Sequence, residues 1–116
     1  MRILVVDKRL RIRFGLRLLI EQATGHSVVA ELSNTEMLTS IIMETSPDLV
    51  LLEWELMQEI NRGVIASLKA DHPQLKVVVL SGQPNCRKSA LNAEADHFMS
   101  KVDPPDQLLN ILNSYA

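Results

Sequence analysis

The sequence predicts one α/β domain, a five-stranded parallel sheet with helices on both faces. Three observations carry this expectation. Apolar runs recur at RILVV (residues 2–6), DLVLL (48–52) and KVVVL (76–80), continuous rather than alternating, as strands covered on both faces are. Helical patterns lie between them. The chain has 116 residues, 47% of them apolar, which is the size of one domain with material for one core.

Taken in order, RILVV is the first strand. Residues 9–23 form a helical pattern with Leu10, Phe14 and Leu18 at four-residue spacing. SVVAE (27–31) is a weaker second strand. Ser33-Asn34 is a candidate N-cap for a helix over 34–44, with Leu38, Ile41 and Ile42 inward. DLVLL is the third strand. A helix over 61–70 is expected from Asn61, with Val64, Ile65 and Leu68 inward. KVVVL is the fourth strand. Pro84 suits the first turn of a helix over 84–93. DHFMS (96–100) is the fifth strand, and Pro104-Pro105 opens a helix over 105–114 with Leu108, Ile111 and Leu112 inward. Five strands and five helices thus alternate in a doubly wound domain over residues 1–116, without repeats or an internal linker.

Composition narrows the function. A net charge of −2 creates no overall field for nucleic acid or an anionic membrane. Lys8, Arg9, Arg11, Arg13 and Arg17 read as a solvated helix face, so no direct contact with nucleic acid is expected. His26, His72 and His97 are scattered without ligand spacing. Cys86 has no cysteine to pair with and reads as structural, which fits a reducing, cytoplasmic setting. RILVV is too short for a signal peptide, and no apolar run approaches the ~20 residues of a membrane span. Neither leader nor span is expected.

In open parallel sheets, chemistry collects at the carboxyl ends of the strands. Here those ends carry Asp7-Lys8, Glu53, Ser81-Gly82 and Ser100-Lys101. With strand order 2-1-3-4-5, the four ends line one edge and bring two carboxylates, a hydroxyl and two ammonium groups together. Trp54, just after the third strand, is expected to be partly exposed.

On these residues the chain resembles, over essentially its whole length, the receiver domain of two-component response regulators. The matching pieces are ILVVD with Asp7, PDLVLLEWEL with Glu53, VVVLSG with Ser81 and HFMSKVDPP with Lys101. The Lys-x-x-Pro-Pro ending is most similar to receivers that precede a helix-turn-helix output domain, and these 116 residues hold only a receiver-like part. The resemblance implies a flavodoxin-like fold. It also implies an acceptor Asp after the third strand, two Mg²⁺-binding acids after the first, a hydroxyl after the fourth and a Lys after the fifth. Metal and Lys would neutralise charge on the phosphoryl oxygens.

Carried over by position, Asp7 matches the first acid, Ser81 and Lys101 match the phosphate-contacting pair, and Phe98 matches a switching aromatic, read here as packed rather than moving. Glu53 stands at the phosphoacceptor and Lys8 at the second acid. Glu94 falls where many relatives have Gly, so that helix end is expected to differ or fray.

The two chemical changes point the same way. Glu is one methylene longer than Asp, roughly 1.5 Å, and places one charge where a phosphoryl group brings about 1.5 to 2. It is a partial, permanent imitation of the modified state and a displaced acceptor. Lys8 shifts local charge against Mg²⁺, which needs hard oxygen ligands. Lys8 either bridges to Glu53 or Asp7 or points into solvent. An ion pair at ~4 Å gains about 4 kcal/mol at an effective dielectric near 20, before desolvation is subtracted. No cofactor is expected, with Mg²⁺ weak if bound at all and Asp7 and Glu53 its available ligands.

Three functions compete. The first is a pseudo-receiver signalling module with a degenerate pocket, not an enzyme, acting through protein–protein contacts without phosphorylation. Its partner would be a histidine kinase or an output domain, and homodimerisation stays open. The second is a receiver that still accepts phosphate at an unusual residue and controls a DNA-binding output. The third, a flavodoxin-like enzyme or nucleotide binder, lacks a Gly-rich loop after the first strand in VVDKRLRIR.

Overall fold

The computed structural model describes residues 1–23, 25–58 and 63–115. Strands β1 (Arg2–Val6), β2 (Ser27–Leu32), β3 (Leu49–Glu53), β4 (Lys76–Ser81) and β5 (His97–Ser100) form one parallel sheet in the order β2-β1-β3-β4-β5. Among the described residues the helices are α1 (Leu10–Gln22), α2 (Leu38–Thr45), α3 (Trp54–Gln58), α4 (Val64–Asp71), α5 (Arg87–Asn92) and α6 (Pro105–Tyr115). The expected strands and their order are all present. α3 is an addition, and residue 61 lies outside the described residues, so its expected role as a cap does too.

Continuous apolar strands are explained by their two covered faces. On one face Leu4, Val6, Val50, Leu52, Val77 and Val79 pack with Leu38 and Ile42 of α2, Ile65 and Leu68 of α4 and Ala90 of α5. On the other, Ile3, Val5, Leu49, Leu51, Val78 and Leu80 meet Ile20 of α1 and Leu108, Ile111 and Leu112 of α6. Neighbouring residues of β1, β3 and β4 therefore serve opposite cores, which period-two geometry requires. Each fully buried Val, Leu or Ile contributes roughly 1.5–3 kcal/mol relative to exposure.

Three local expectations are corrected, and the structure settles which side of α1 faces the sheet, which its spacing left open. In α1, Leu10, Phe14 and Leu18 are 67%, 60% and 48% exposed, while Leu16, Leu19 and Ile20 turn inward. This helix is apolar on two sides, and four-residue spacing alone cannot tell which side meets the sheet. Arg13 and Arg17 fix the choice, because both pair with Glu31 of β2 at 3.3 and 2.6 Å. α2 starts at Leu38, since Asn34 spends its side-chain oxygen on the Glu36 N–H at 2.9 Å in a local turn. Trp54 is buried, because the chain enters α3 directly after Glu53 and turns the indole, with Leu56 and Met57, into the core.

The third correction concerns Glu94. It adopts φ +75° in the left-handed region and closes α5. The Glu94 N–H donates to Leu91 and the Ala95 N–H to Ala90, at 3.0 and 3.2 Å, the paired bonds of a Schellman end. The helix end is kept despite the missing glycine, and the side chain carries the strain. A left-handed non-glycine residue costs about 1–2 kcal/mol, against which glycine's extra unfolded-state freedom offsets about 0.5–1. Glu94→Gly is therefore expected to stabilise the fold by roughly 0.5–1 kcal/mol. Urea denaturation should show a higher midpoint at unchanged slope. A lower midpoint would mean that the Glu94 side chain contributes more than its backbone costs.

Candidate functional site

The carboxyl end of the sheet gathers the residues singled out in the sequence. Asp7 leaves β1, Glu53 ends β3 in register with Leu80, Ser81 ends β4, and Lys101 follows β5. The Lys101 N–H donates to the Ser81 carbonyl at 2.8 Å, which holds the start of its loop against β4. Asp7, Glu53 and Ser81 are buried, at 1%, 4% and 0% exposure.

Lys101 joins the two acids. Its Nζ lies 2.6 Å from Glu53 Oε2 and 3.0 Å from Asp7 Oδ2, with 11% of the side chain exposed. The remaining oxygens are held by the backbone that leads into α1. The Lys8 N–H donates to Glu53 Oε1 at 3.0 Å, and the Arg9 N–H donates to Asp7 Oδ1 at 2.8 Å. Arg13 reinforces this turn by donating to the Asp7 carbonyl at 2.8 Å. Three of the four carboxylate oxygens thus accept a hydrogen bond from the chain's own donors, and Asp7 Oδ2, otherwise without a hydrogen-bond partner, is compensated by the Lys101 ammonium at 3.0 Å.

Of the two placements open for Lys8, the structure takes the solvent one. Its side chain is exposed and, among the described residues, makes no ion pair with Asp7 or Glu53. The bridge is made by Lys101 from the opposite strand edge. Lys8 instead lines the rim of a cleft of about 180 Å³, together with Arg9, Glu53, Glu55, Gly82 and Lys101.

Glu55 is the residue that sequence reasoning missed. From the first turn of α3, its Oε1 accepts from the Ser81 hydroxyl at 2.8 Å and from the Gly82 N–H at 3.0 Å. Ser81 Oγ in turn accepts from the Gln83 N–H at 3.0 Å. The Ser81 hydroxyl is thereby turned to Glu55. The only signal in the sequence was an acid two residues after Glu53. Its meaning depends on α3, which the apolar pattern did not reveal. Phe98 is buried against the core, with the Arg87 guanidinium 5.3 Å from the ring centroid. Among the described residues, no group of three His, Cys, Asp or Glu side chains is arranged to hold a metal ion.

Burial alone pushes the Lys101 ammonium down, but its hydrogen bonds to Glu53 and Asp7 and their negative charge outweigh burial and raise its pKa above the ordinary 10.5. A raised folded-state pKa contributes stability in full below the unfolded value, and that stability is lost as pH climbs through the folded one. Tyr115, raised mainly by burial and then by Asp96, loses stability in the same alkaline window. The difference between wild type and Lys101→Met isolates the lysine. Above pH 10.5 the wild type should lose unfolding free energy more steeply than Lys101→Met. Parallel slopes in alkaline urea titrations would mean that the ammonium is not held by the two acids.

Comparison with known proteins matches the geometry. The family model for the response regulator receiver domain covers residues 3–113. A putative transcriptional regulator of Pseudomonas aeruginosa is 33% identical over 114 residues, spanning 93% of this chain and 53% of that protein. The virulence factors putative positive transcription regulator BvgA of Bordetella pertussis is 31% identical, with 94% and 53% covered. The chain therefore spans about half the length of these curated relatives. Among solved structures, RcsB from Salmonella enterica, bound to promoter rprA with the phosphomimetic BeF3-, superposes with a TM-score of 0.87 at 19% identity, covering 99% of this chain and 59% of that one. A LuxR-family response regulator from Aurantimonas gives 0.86 at 23%, with 97% and 82% covered. These structural likenesses establish the fold, and the sequence match establishes the family: the chain belongs to the response regulator receiver domains of two-component signalling.

Proposed function

We propose that this receiver domain signals through protein–protein contacts without receiving a phosphoryl group. The observation that carries the reading is the Lys101 ammonium shared by Asp7 and Glu53. In this state the lysine pairs with Glu53, at the position of the acceptor. Glu53 Oε1 is held by the Lys8 N–H, so the longer acid is tied at both oxygens.

The same donors make a poor divalent-metal site. Asp7 and Glu53 already face an ammonium and backbone N–H groups, and the position of the second acid carries a lysine. Mg²⁺ needs near-octahedral oxygen donors and gives up water reluctantly. Binding of Mg²⁺ would require displacing Lys101 from at least one of its acids.

Two of the relatives carry names of transcription regulators, and the relatives are about twice as long as this chain. A DNA-binding output domain, or a kinase that reads the pocket edge, is the partner class this supports, in a cytoplasmic setting. Among the described residues no helix is long and apolar enough to cross a membrane. One observation favours a second reading, slow phosphoryl acceptance: Glu53 and Lys101 line a cleft that opens to solvent beside Lys8 and Gly82.

Exposure to acetyl phosphate and Mg²⁺, followed by intact-mass measurement, separates the two. The wild type is expected to stay unmodified. Lys8→Asp with Glu53→Asp should be labelled more than either single variant, because acceptor and metal act as a unit and their effects do not add. A phosphoryl adduct on wild-type Glu53 would establish the second reading instead. Full labelling of Glu53→Asp alone would show that Lys8 does not oppose the metal. Trp54, buried next to Glu53, reports metal in the same samples through its fluorescence.

A further inference from the structure

We propose that the cleft between α4 and α5 is a binding site for an extended peptide of a partner protein, one with small residues and a basic side chain. The starting point is Trp54. Its side chain is buried, at 1% exposure, yet the indole N–H has no hydrogen-bond partner. A buried donor left unpaired costs stability, and such groups are rare in folded proteins. Trp54 also forms part of the wall of a cleft of about 470 Å³ between the two helices. A ligand carbonyl in this cleft supplies the acceptor that the chain lacks, reached by a small turn of the ring.

The other walls select the ligand. Ala66 of α4 and Ala93 after α5 are small, so the cleft admits a backbone and offers no large apolar socket. Ser89 and Asn92 stand three residues apart on one face of α5, both exposed and neither with a side-chain hydrogen bond among the described residues. A hydroxyl and an amide offer donors and acceptors together, which matches the alternating N–H and C=O groups of an extended chain.

Charge adds the basic side chain. Glu94 lines the same cleft, exposed and in no ion pair among the described residues. Its backbone is held at φ +75°, where glycine would sit without strain. The carboxylate makes no contact within the chain that offsets this, and strained residues cluster at ligand contacts. A lysine or arginine of the partner is the group it fits.

Position gives the cleft a consequence. Trp54 stands between Glu53, held by Lys101 at 2.6 Å, and Glu55, which accepts from the Ser81 hydroxyl at 2.8 Å. A turn of the indole therefore bears on both polar networks. The cleft is a surface for the protein contacts proposed above, and it serves whether or not Glu53 accepts a phosphoryl group.

The protein has one tryptophan, so a single indole N–H signal in a nitrogen–proton correlation spectrum reads the site directly. The probes are the acetylated and amidated pentapeptide Ala-Gly-Lys-Gly-Ala and its counterpart with glutamate at the centre. The lysine peptide should shift the indole signal and the backbone amides of Ala66, Ser89 and Asn92 along one saturable curve, with a Kd of roughly 1 mM for so short a ligand. The glutamate peptide should bind about 5-fold more weakly, and Glu94→Gln should bring the two peptides within about 2-fold of each other. Ala66→Met narrows the cleft and should abolish the shifts while amide signals elsewhere keep their places, which separates loss of the site from loss of the fold. An indole signal that stays fixed at about 10 mM lysine peptide, equal binding of the two peptides to the wild type, or undiminished shifts in Ala66→Met would overturn the proposal. None of these results bears on the acetyl phosphate experiment, so the two readings fail separately.

Discussion

The carboxyl edge of this molecule depends on one ammonium. Lys101 reaches in from the loop after β5 and binds Asp7 of β1 and Glu53 of β3, two strands that pair side by side at the centre of the sheet. Two carboxylates this deeply buried would otherwise repel each other in a medium that screens them poorly. With the lysine between them, and the Lys8 and Arg9 N–H groups on their outer oxygens, the edge closes as a hydrogen-bonded unit. Removing the lysine alone would leave two buried acids unpaired, a far larger cost than losing an exposed ion pair.

That arrangement follows from the sheet. Parallel pairing of β1 with β3 and β3 with β4 puts Asp7, Glu53 and Ser81 at one level, because each strand ends at the same edge. The apolar residues beneath have no freedom to shift, since a slip of one residue would exchange the two cores. The core thus sets the positions of the polar groups, and Lys101 responds to them. The Glu53 carboxylate lies where the lysine and the turn into α1 both reach it.

Much of this was legible in the sequence because buried parallel strands leave a simple mark. RILVV, DLVLL and KVVVL could be read as strands, and the polar residues after them as one edge, from composition alone. What stayed hidden needed contacts between distant segments. The inward side of α1 was set by Arg13 and Arg17 reaching Glu31 on β2, which helical spacing does not encode. The role of Glu55 and the burial of Trp54 both follow from α3, a helix of five residues, too short to show a period. Glu94 misled for a different reason. Its side chain disfavours the left-handed backbone, yet two hydrogen bonds at the end of α5 hold it there. For Lys8, sequence could name the altered charge but not that Lys101 already occupies the place between the acids.

A double-mutant cycle on Lys101 and Glu53 addresses the triad most directly. Urea denaturation of the wild type, Lys101→Met, Glu53→Gln and the double variant gives their coupling energy without reference to any ligand. The ion pair at 2.6 Å predicts a coupling of roughly 1–3 kcal/mol, with Lys101→Met the more harmful single change because it strands two acids. It also predicts that millimolar Mg²⁺ leaves the wild-type midpoint where it was. Additive effects, or a midpoint that climbs with Mg²⁺ as binding to the native state requires, would contradict a pocket closed by its own lysine.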